Sequence, residues 1–264
     1  MLLPESILTE HTPPLGLSQG YRCEYTECPV TARRHSNLQE DFAVDDAQST
    51  LQRITEMVVR LELAPGSIVS ESTLATQLGV PRSEVRESIQ QLRESGLVSV
   101  LPRAGIAISS VALTEIRNVF EARLGIEGFA ARLASQRAVA SDVKRLQALA
   151  DQLARLADSI SKSTAPESTL ARLIDLDRRL HIEIVDISRN PHLQAALNRT
   201  MLFNSRIWNL FYARNGGIGT YYVSHQALID ALAQNDADAA AAAVAAHLES
   251  SAQELRRAFE FGQD

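Results

Sequence analysis

Four side chains in the C-terminal half of the chain have the types and spacing to hold a metal ion. Asp177 and His181 are four positions apart, so on a helix they share a face one turn from each other. His225 and His247 are 22 positions apart, with the turn-forming run Asn235-Asp236-Ala237-Asp238 at their midpoint. In an antiparallel helical hairpin, residues equidistant from the turn come level, here about 16 Å from it at a rise of about 1.5 Å per residue. The two imidazoles can then face each other, and Asp177 with His181 can complete the set from a third helix. One carboxylate and three imidazoles suit a divalent transition metal, zinc first and nickel or manganese as alternatives, with positions left for water or an anion. The competing reading is structural. Each histidine taken singly fits a hydrogen-bonded core residue, and His192, just after Pro191, stays in that class.

Helices must position these groups, and the second half of the chain is written for helices. Its composition shifts to Ala, Leu and other helix formers after Ser109-Ser110, with almost no strand signal. Six helices are predicted, over 113–136, 141–161, 166–188, 191–213, 219–234 and 236–261. Proline at the helix starts Pro166 and Pro191, Asn215-Gly216-Gly217, and the Asn235–Asp238 run mark the breaks. Helices of these lengths on short loops form an antiparallel bundle. The Ala239–Ala246 run reads as a close-packing helix face.

A second constellation lies upstream. Ser70 stands at a helix N-cap, Gly79 where that helix ends, and a second run follows from Arg82 to Leu92, closed by Gly96. Leu74, Leu78, Val85, Ile89 and Leu92 fall at helical spacings and give the two helices one core, which makes a helix-turn-helix. Arg82 and Arg86 sit one turn apart on the outer face of the second helix. The alternating run Leu97–Leu101, then Pro102-Arg103-Ala104-Gly105 and Ile106-Ala107-Ile108, predicts a hairpin with a basic tip, the wing of a winged helix-turn-helix. A first helix starting near Ala47, with Leu51, Ile54, Val58 and Leu61 on one stripe, packs beneath. This geometry puts the second helix in a DNA major groove with Arg103 near a phosphate or the minor groove. A plain helical hairpin with solvated arginines is the alternative.

The segments Leu63-Ala64-Pro65-Gly66-Ser67, Leu74-Ala75, Leu78-Gly79-Val80, Arg82, Val85-Arg86-Glu87, Gly96-Leu97-Val98 and Pro102-Arg103-Ala104-Gly105 resemble the N-terminal domain of the GntR transcription regulators. The resemblance implies that Arg82 and Arg86 are the main DNA contacts, with Ser70, Ser83, Arg103 and Gly105 completing the candidate set. Two departures stand out: Ser72 where many members carry an arginine, and Pro81 in place of Ser or Thr. Val119-Phe120-Glu121-Ala122-Arg123-Leu124, Asp177-x3-His181, Ser188-Arg189-Asn190-Pro191 and His225-x21-His247 resemble the C-terminal effector domain of the FadR branch. In metal-binding members an Asp and three His hold the ion and a small carboxylate completes its coordination. The resemblance assigns those roles to Asp177, His181, His225 and His247.

Arg123 is then the residue to receive the acid, since a guanidinium binds a carboxylate bidentately. Its alternative is a salt bridge with Glu127 or Glu121. Asn204 and Arg206 are further effector candidates. Trp208, Phe211, Tyr212, Tyr221 and Tyr222 fill the core or line the cavity. A metal-dependent hydrolase is the rival from another class, but Glu183 and Asp186 fall where helices turn away from the ligands, leaving no positioned base. A regulator with a purely structural metal is the other alternative.

Composition bounds these readings. At 264 residues, 45% hydrophobic and 22% charged, the chain has room for two domains and an ordinary surface. No apolar run is long enough for a membrane span, and the N-terminus lacks a secretory signal. Cys23 and Cys28 form no disulfide framework, so a cytoplasmic protein is expected. With His35 they make a weak zinc pattern. The net charge of −6, and six Arg against eight Asp or Glu over 45–110, exclude a general nucleic-acid coat. A specific binder that doubles its contacts as a homodimer on a palindromic operator remains.

The expected fold is therefore mainly α. A poorly ordered extension over 1–44 precedes a winged helix-turn-helix over 45–110 and an all-α, antiparallel six-helix effector-binding and dimerisation domain over 111–262. The expected function is a transcription regulator, a repressor by family habit, controlled by a small organic acid.

Overall fold

A computed structural model of the chain describes residues 49–161, 167–215 and 224–260. The expectations for 1–44, for the Cys23, Cys28 and His35 pattern, and for Tyr221 and Tyr222 lie outside the described residues.

Three helices and a small sheet form the first hydrophobic core. Helix α1 (Thr50–Val59) begins with a capping box: Ser49 accepts from the Gln52 backbone and the Gln52 side chain accepts from the Ser49 backbone. Helix α2 (Glu71–Leu78) is capped by Ser70, whose Oγ accepts from Thr73 N at 3.0 Å, and leaves through Gly79 at φ 67°. Helix α3 (Arg82–Ser95) starts behind Pro81, which provides no side-chain cap, and ends at Gly96 with φ 86°. Ile54, Val58, Leu74, Val85, Ile89 and Leu97 meet in the core beneath.

The wing is strands β2 (Val98–Leu101) and β3 (Gly105–Ile108), antiparallel, with Val98 opposite Ile108 and Leu101 opposite Gly105. One strand was not anticipated. β1 (Ile68–Val69) pairs with the free edge of β3, giving a three-stranded sheet in the order β1-β3-β2. Two residues are too few to show an alternating pattern, so β1 had no signature in the sequence. Its presence explains Gly105: φ is 120°, and a Cβ there would stand 2.8 Å from the Val69 carbonyl oxygen.

The remaining described elements are helical: α4 (Leu113–Arg137), α5 (Ala140–Ser161), α6 (Glu167–Ile187), α7 (Pro191–Asn215), α8 (Gln226–Ala233) and α9 (Ala237–Glu260). Pro191 opens α7, and Asn190 Oδ1 accepts from the backbones of His192 and Leu193. His192 is exposed. Asn235 at φ 57° makes the α8–α9 turn and Asp236 caps α9 through Ala239 N at 2.9 Å. Helix α4 packs against α6, α7, α8 and α9, and the small residues of α9, with Ala240 and Val244 buried, bring it close to α4. Trp208, Phe211 and Tyr212 are core residues. No helix among the described residues is long and apolar enough to cross a membrane.

Helix α7 also grips the first core. Arg199 Nε donates to Ser95 O at 3.2 Å, Asn209 Nδ2 donates to Val59 O at 2.8 Å, and Leu202 and Phe203 pack against that cluster. The chain from β3 to α4 is tied to the same helix by a hydrogen bond from Arg206 NH2 to Ser109 O.

Candidate metal and effector site

The four predicted ligands converge. Helix α6 presents Asp177 and His181 one turn apart, the α8–α9 hairpin brings His225 level with His247, and one ligand atom from each of the four lies within 4.8 Å of the others. His225 Nε2 is 3.2 Å from His181 Nε2 and 3.5 Å from Asp177 Oδ1, and His181 Nε2 is 3.8 Å from Asp177 Oδ2. The His225 and His247 ring centroids are 4.1 Å apart. In one detail the expected positions differ. His225 is not inside a helix but is the N-cap of α8, with non-helical ψ of 4° and no capping hydrogen bond from its side chain.

A buried carboxylate organises the quartet. Glu127 on α4 accepts from His181 Nδ1 at 2.5 Å through Oε2 and from Arg123 Nε at 2.6 Å through Oε1, with all three side chains no more than 2% exposed. Burial alone would raise the Glu127 pKa, but the charges of Arg123 and His181 outweigh it and hold the carboxyl down to about 2. An ionised carboxylate only accepts, so Nδ1 carries a proton, and Nε2 is the ring nitrogen turned toward Asp177 and His225. Burial, then the charge of His181, lowers His225 to about 4, against the opposing pull of Asp177 and Glu127. Burial and the neighbouring His225 and His181 take His247 well below the usual imidazole value. These two rings are neutral at neutral pH, the form in which imidazole binds a metal. The donor set therefore fits a divalent transition metal.

Arg123 makes the salt bridge of its alternative reading, with Glu127 as the partner. Its Nε is bonded to Glu127, whereas Glu121 lies out on the surface with Arg117. Its NH1 donates to Asn204 Oδ1 at 2.8 Å. The third nitrogen, NH2, is buried with no partner among the described residues. Asn204 thus joins the site by holding Arg123. Arg206 does not join it. Two residues further along α7 it is turned by about 200°, toward Ser109 and the charge of Glu115. Burial lowers its pKa, Glu115 opposing. Glu183 is engaged by Arg145 and Asp186 by Gln194, so neither faces the ligands.

The sequence reading missed the role of Glu127 in holding His181. The two are 54 residues apart. The available signal was the Arg123–Glu127 spacing of one turn on an otherwise apolar helix face.

On the winged part, Arg82, Ser83 and Arg86 are exposed along α3 and Arg103 is exposed at the hairpin tip with φ 65°. Gly105 follows in β3. Ser70 is exposed, but its hydroxyl is occupied in capping α2 and in contacts with Ser72 and Thr73.

Comparison with known proteins matches this architecture. Residues 47–108 match the bacterial regulatory proteins of the gntR family and residues 118–250 match the FCD domain. The chain is 27% identical over 214 residues to the HTH-type transcriptional regulator YdhC of Bacillus subtilis, covering 80% of this chain and 92% of that one. It is 25% identical over 215 residues to the HTH-type transcriptional regulator LutR of the same species, covering 73% and 93%. Among solved structures, Escherichia coli McbR/YncC superposes with a TM-score of 0.67 at 19% identity over 80% of this chain and 96% of that one. A GntR regulator from Rhodococcus sp. RHA1 superposes with a TM-score of 0.59 at 20% identity, covering 78% and 94%.

Proposed function

Because the chain belongs to the GntR family of DNA-binding transcription regulators and carries an FCD domain, we propose that it is a metal-dependent sensor of a small carboxylate. It acts as a homodimeric repressor on a palindromic operator in the cytoplasm. Residues 45–110 read DNA through Arg82, Arg86 and Ser83 on α3, with Ser70 beside them and Arg103 and Gly105 on the wing. Residues 111–262 bind the effector and dimerise. The family consists of regulators, not enzymes.

The observation that carries the effector reading is the buried NH2 of Arg123, unpartnered among the described residues, beside the convergent Asp177, His181, His225 and His247. Those four would hold a divalent metal, zinc first and nickel or manganese next, which when bound supplies a cationic centre for an acid's oxygen. Glu127 fixes His181, and Asn204 fixes Arg123, whose remaining N–H groups bind the acid's second oxygen. An acid that releases DNA must bind the free regulator more tightly than the DNA-bound one.

A thermal-shift screen of small carboxylates with and without a chelator tests this. Ligand binding to the folded state raises the melting point by mass action. A shift for one acid class that disappears on chelation and in His181→Ala is expected. If chelation lowers the melting point and no acid raises it, the metal is structural and the sensor reading fails.

A further inference from the structure

Glu71, the first residue of α2, lies against both arginines of the DNA-reading face. Arg86 Nε donates to its Oε1 at 3.1 Å and Arg86 NH2 to its Oε2 at 2.9 Å, while Arg82 NH2 is 3.6 Å from the same Oε2. The two arginine side chains are 63% exposed and Glu71 25%. An exposed ion pair of this kind contributes little to stability. Its geometry matters more here. The hydrogen bonds from Arg86, foremost, hold the Glu71 carboxyl below its usual range, so it stays anionic. Its backbone is fixed by the Ser70 cap and by the core residues Leu74 and Leu78 of the same helix. The carboxylate is therefore an anchored strut rather than a second mobile chain.

A guanidinium has five N–H donors in a rigid fork. Glu71 takes the side formed by Nε and NH2. Of the three donors left over, one on NH1 and the outer one on NH2 form the end-on fork, which points away from Glu71. An end-on fork is what pairs with O6 and N7 of guanine in the major groove, whereas a free arginine on a helix surface also swings to the nearest phosphate. We propose that Glu71 is a specificity-determining residue: it holds Arg86, with Arg82 beside it, in the orientation that reads a guanine and keeps both from settling on phosphates. A carboxylate facing DNA also repels the phosphate backbone, so the same residue lowers affinity for every sequence while raising discrimination. The inference rests on the reading of Arg82 and Arg86 as DNA contacts.

The test uses the full chain and a randomised duplex pool. The wild type selects a preferred duplex; binding of that duplex and of the unselected pool is then measured for wild type, Glu71→Gln, Glu71→Ala and Arg86→Ala, each with an unchanged melting point. For both Glu71 variants the expected result is equal or tighter binding to the unselected pool, with the preference for the selected duplex reduced roughly tenfold. The loss concentrates at the base pair whose preference Arg86→Ala also abolishes. If the Glu71 variants bind both DNAs more tightly by the same factor, Glu71 is only a repelling charge and the inference fails. A wild-type chain that selects no sequence overturns the DNA-reading assignment itself, and the strut with it.

Discussion

Glu127 Oε2 stands 2.5 Å from His181 Nδ1 while Glu127 Oε1 holds Arg123, so one buried carboxylate orients a metal-ligand candidate and an effector-binding candidate together. Outer partners of this kind contribute strongly to metal affinity because they fix the tautomer and angle of the ligand. Glu127→Gln keeps the volume and removes the charge. Its expected effect is a fall in zinc affinity of about 10- to 100-fold, read by competition with a chromogenic chelator. Glu127→Ala also strands the buried Arg123 charge and should cost roughly 3–5 kcal/mol of stability, read by urea titration. An unchanged zinc affinity in the folded Gln variant would remove Glu127 from the site.

Acid should unfold the metal-free protein through the histidines of the same cluster. Burial, foremost, pushes His225 down to about 4 in the folded chain, against an ordinary value of 6.5. Between those values the unfolded chain binds more protons, so stability rises with pH across this window and is lost as pH falls from 6.5 toward 4. The loss is on the order of 3 kcal/mol for this group. Melting points in chelator at a series of pH values check it. His225→Asn, which removes the titrating ring and offers a good N-cap, should flatten the slope while His247 retains part of it. Added zinc should raise the melting point most near neutral pH and less on acidification, because protons compete for the imidazoles.

The wing approaches β1 most closely at Gly105. At φ 120°, with its Cβ position 2.8 Å from Val69 O, Gly105 admits no side chain without parting β3 from β1. Gly105→Ala should cost about 1–3 kcal/mol and weaken binding to duplex DNA, with far-ultraviolet circular dichroism unchanged since the helices are elsewhere. Full DNA affinity in a folded Gly105→Ala chain would separate the wing from recognition.

What could be read in advance follows from how local each signal is. The bounds of the later helices are visible because proline, asparagine and glycine punctuate long helical runs; the helix expected over 219–234 is described from Gln226 to Ala233, and the start of the expected range lies outside the described residues. The ligand quartet is visible because Asp177 and His181 are related by one turn and His225 and His247 by one hairpin. Glu127 and Asn204 are not, since they meet His181 and Arg123 across 54 and 81 residues. Arg206 misled for a different reason. Residues 204–208 of α7 are all buried, so no polar stripe marks which face meets the site.

That all-round burial is also what suits α7 to connect the two sites. On one side Asn204 holds Arg123; on others Arg199 and Asn209 hold the backbone at the ends of α3 and α1, and Arg206 holds Ser109 in the connection to α4. In the proposed sensor an acid drawn to Arg123 would act on Asn204, and a turn or shift of α7 would be carried to the winged part through these carbonyl contacts. Coupling between sites typically changes affinity by about 5- to 150-fold. Asn209→Ala and Arg199→Ala touch neither proposed site, so zinc binding and the thermal shift from the effective acid should stay within about twofold of wild type, as expected for distant residues. The ratio of DNA affinities without and with saturating acid should fall toward one. Measured by fluorescence anisotropy on a selected duplex, an undiminished ratio in both variants would mean that the signal leaves the effector site by another element, with α4 the next candidate because it carries both Arg123 and Glu127 and begins four residues after Ser109.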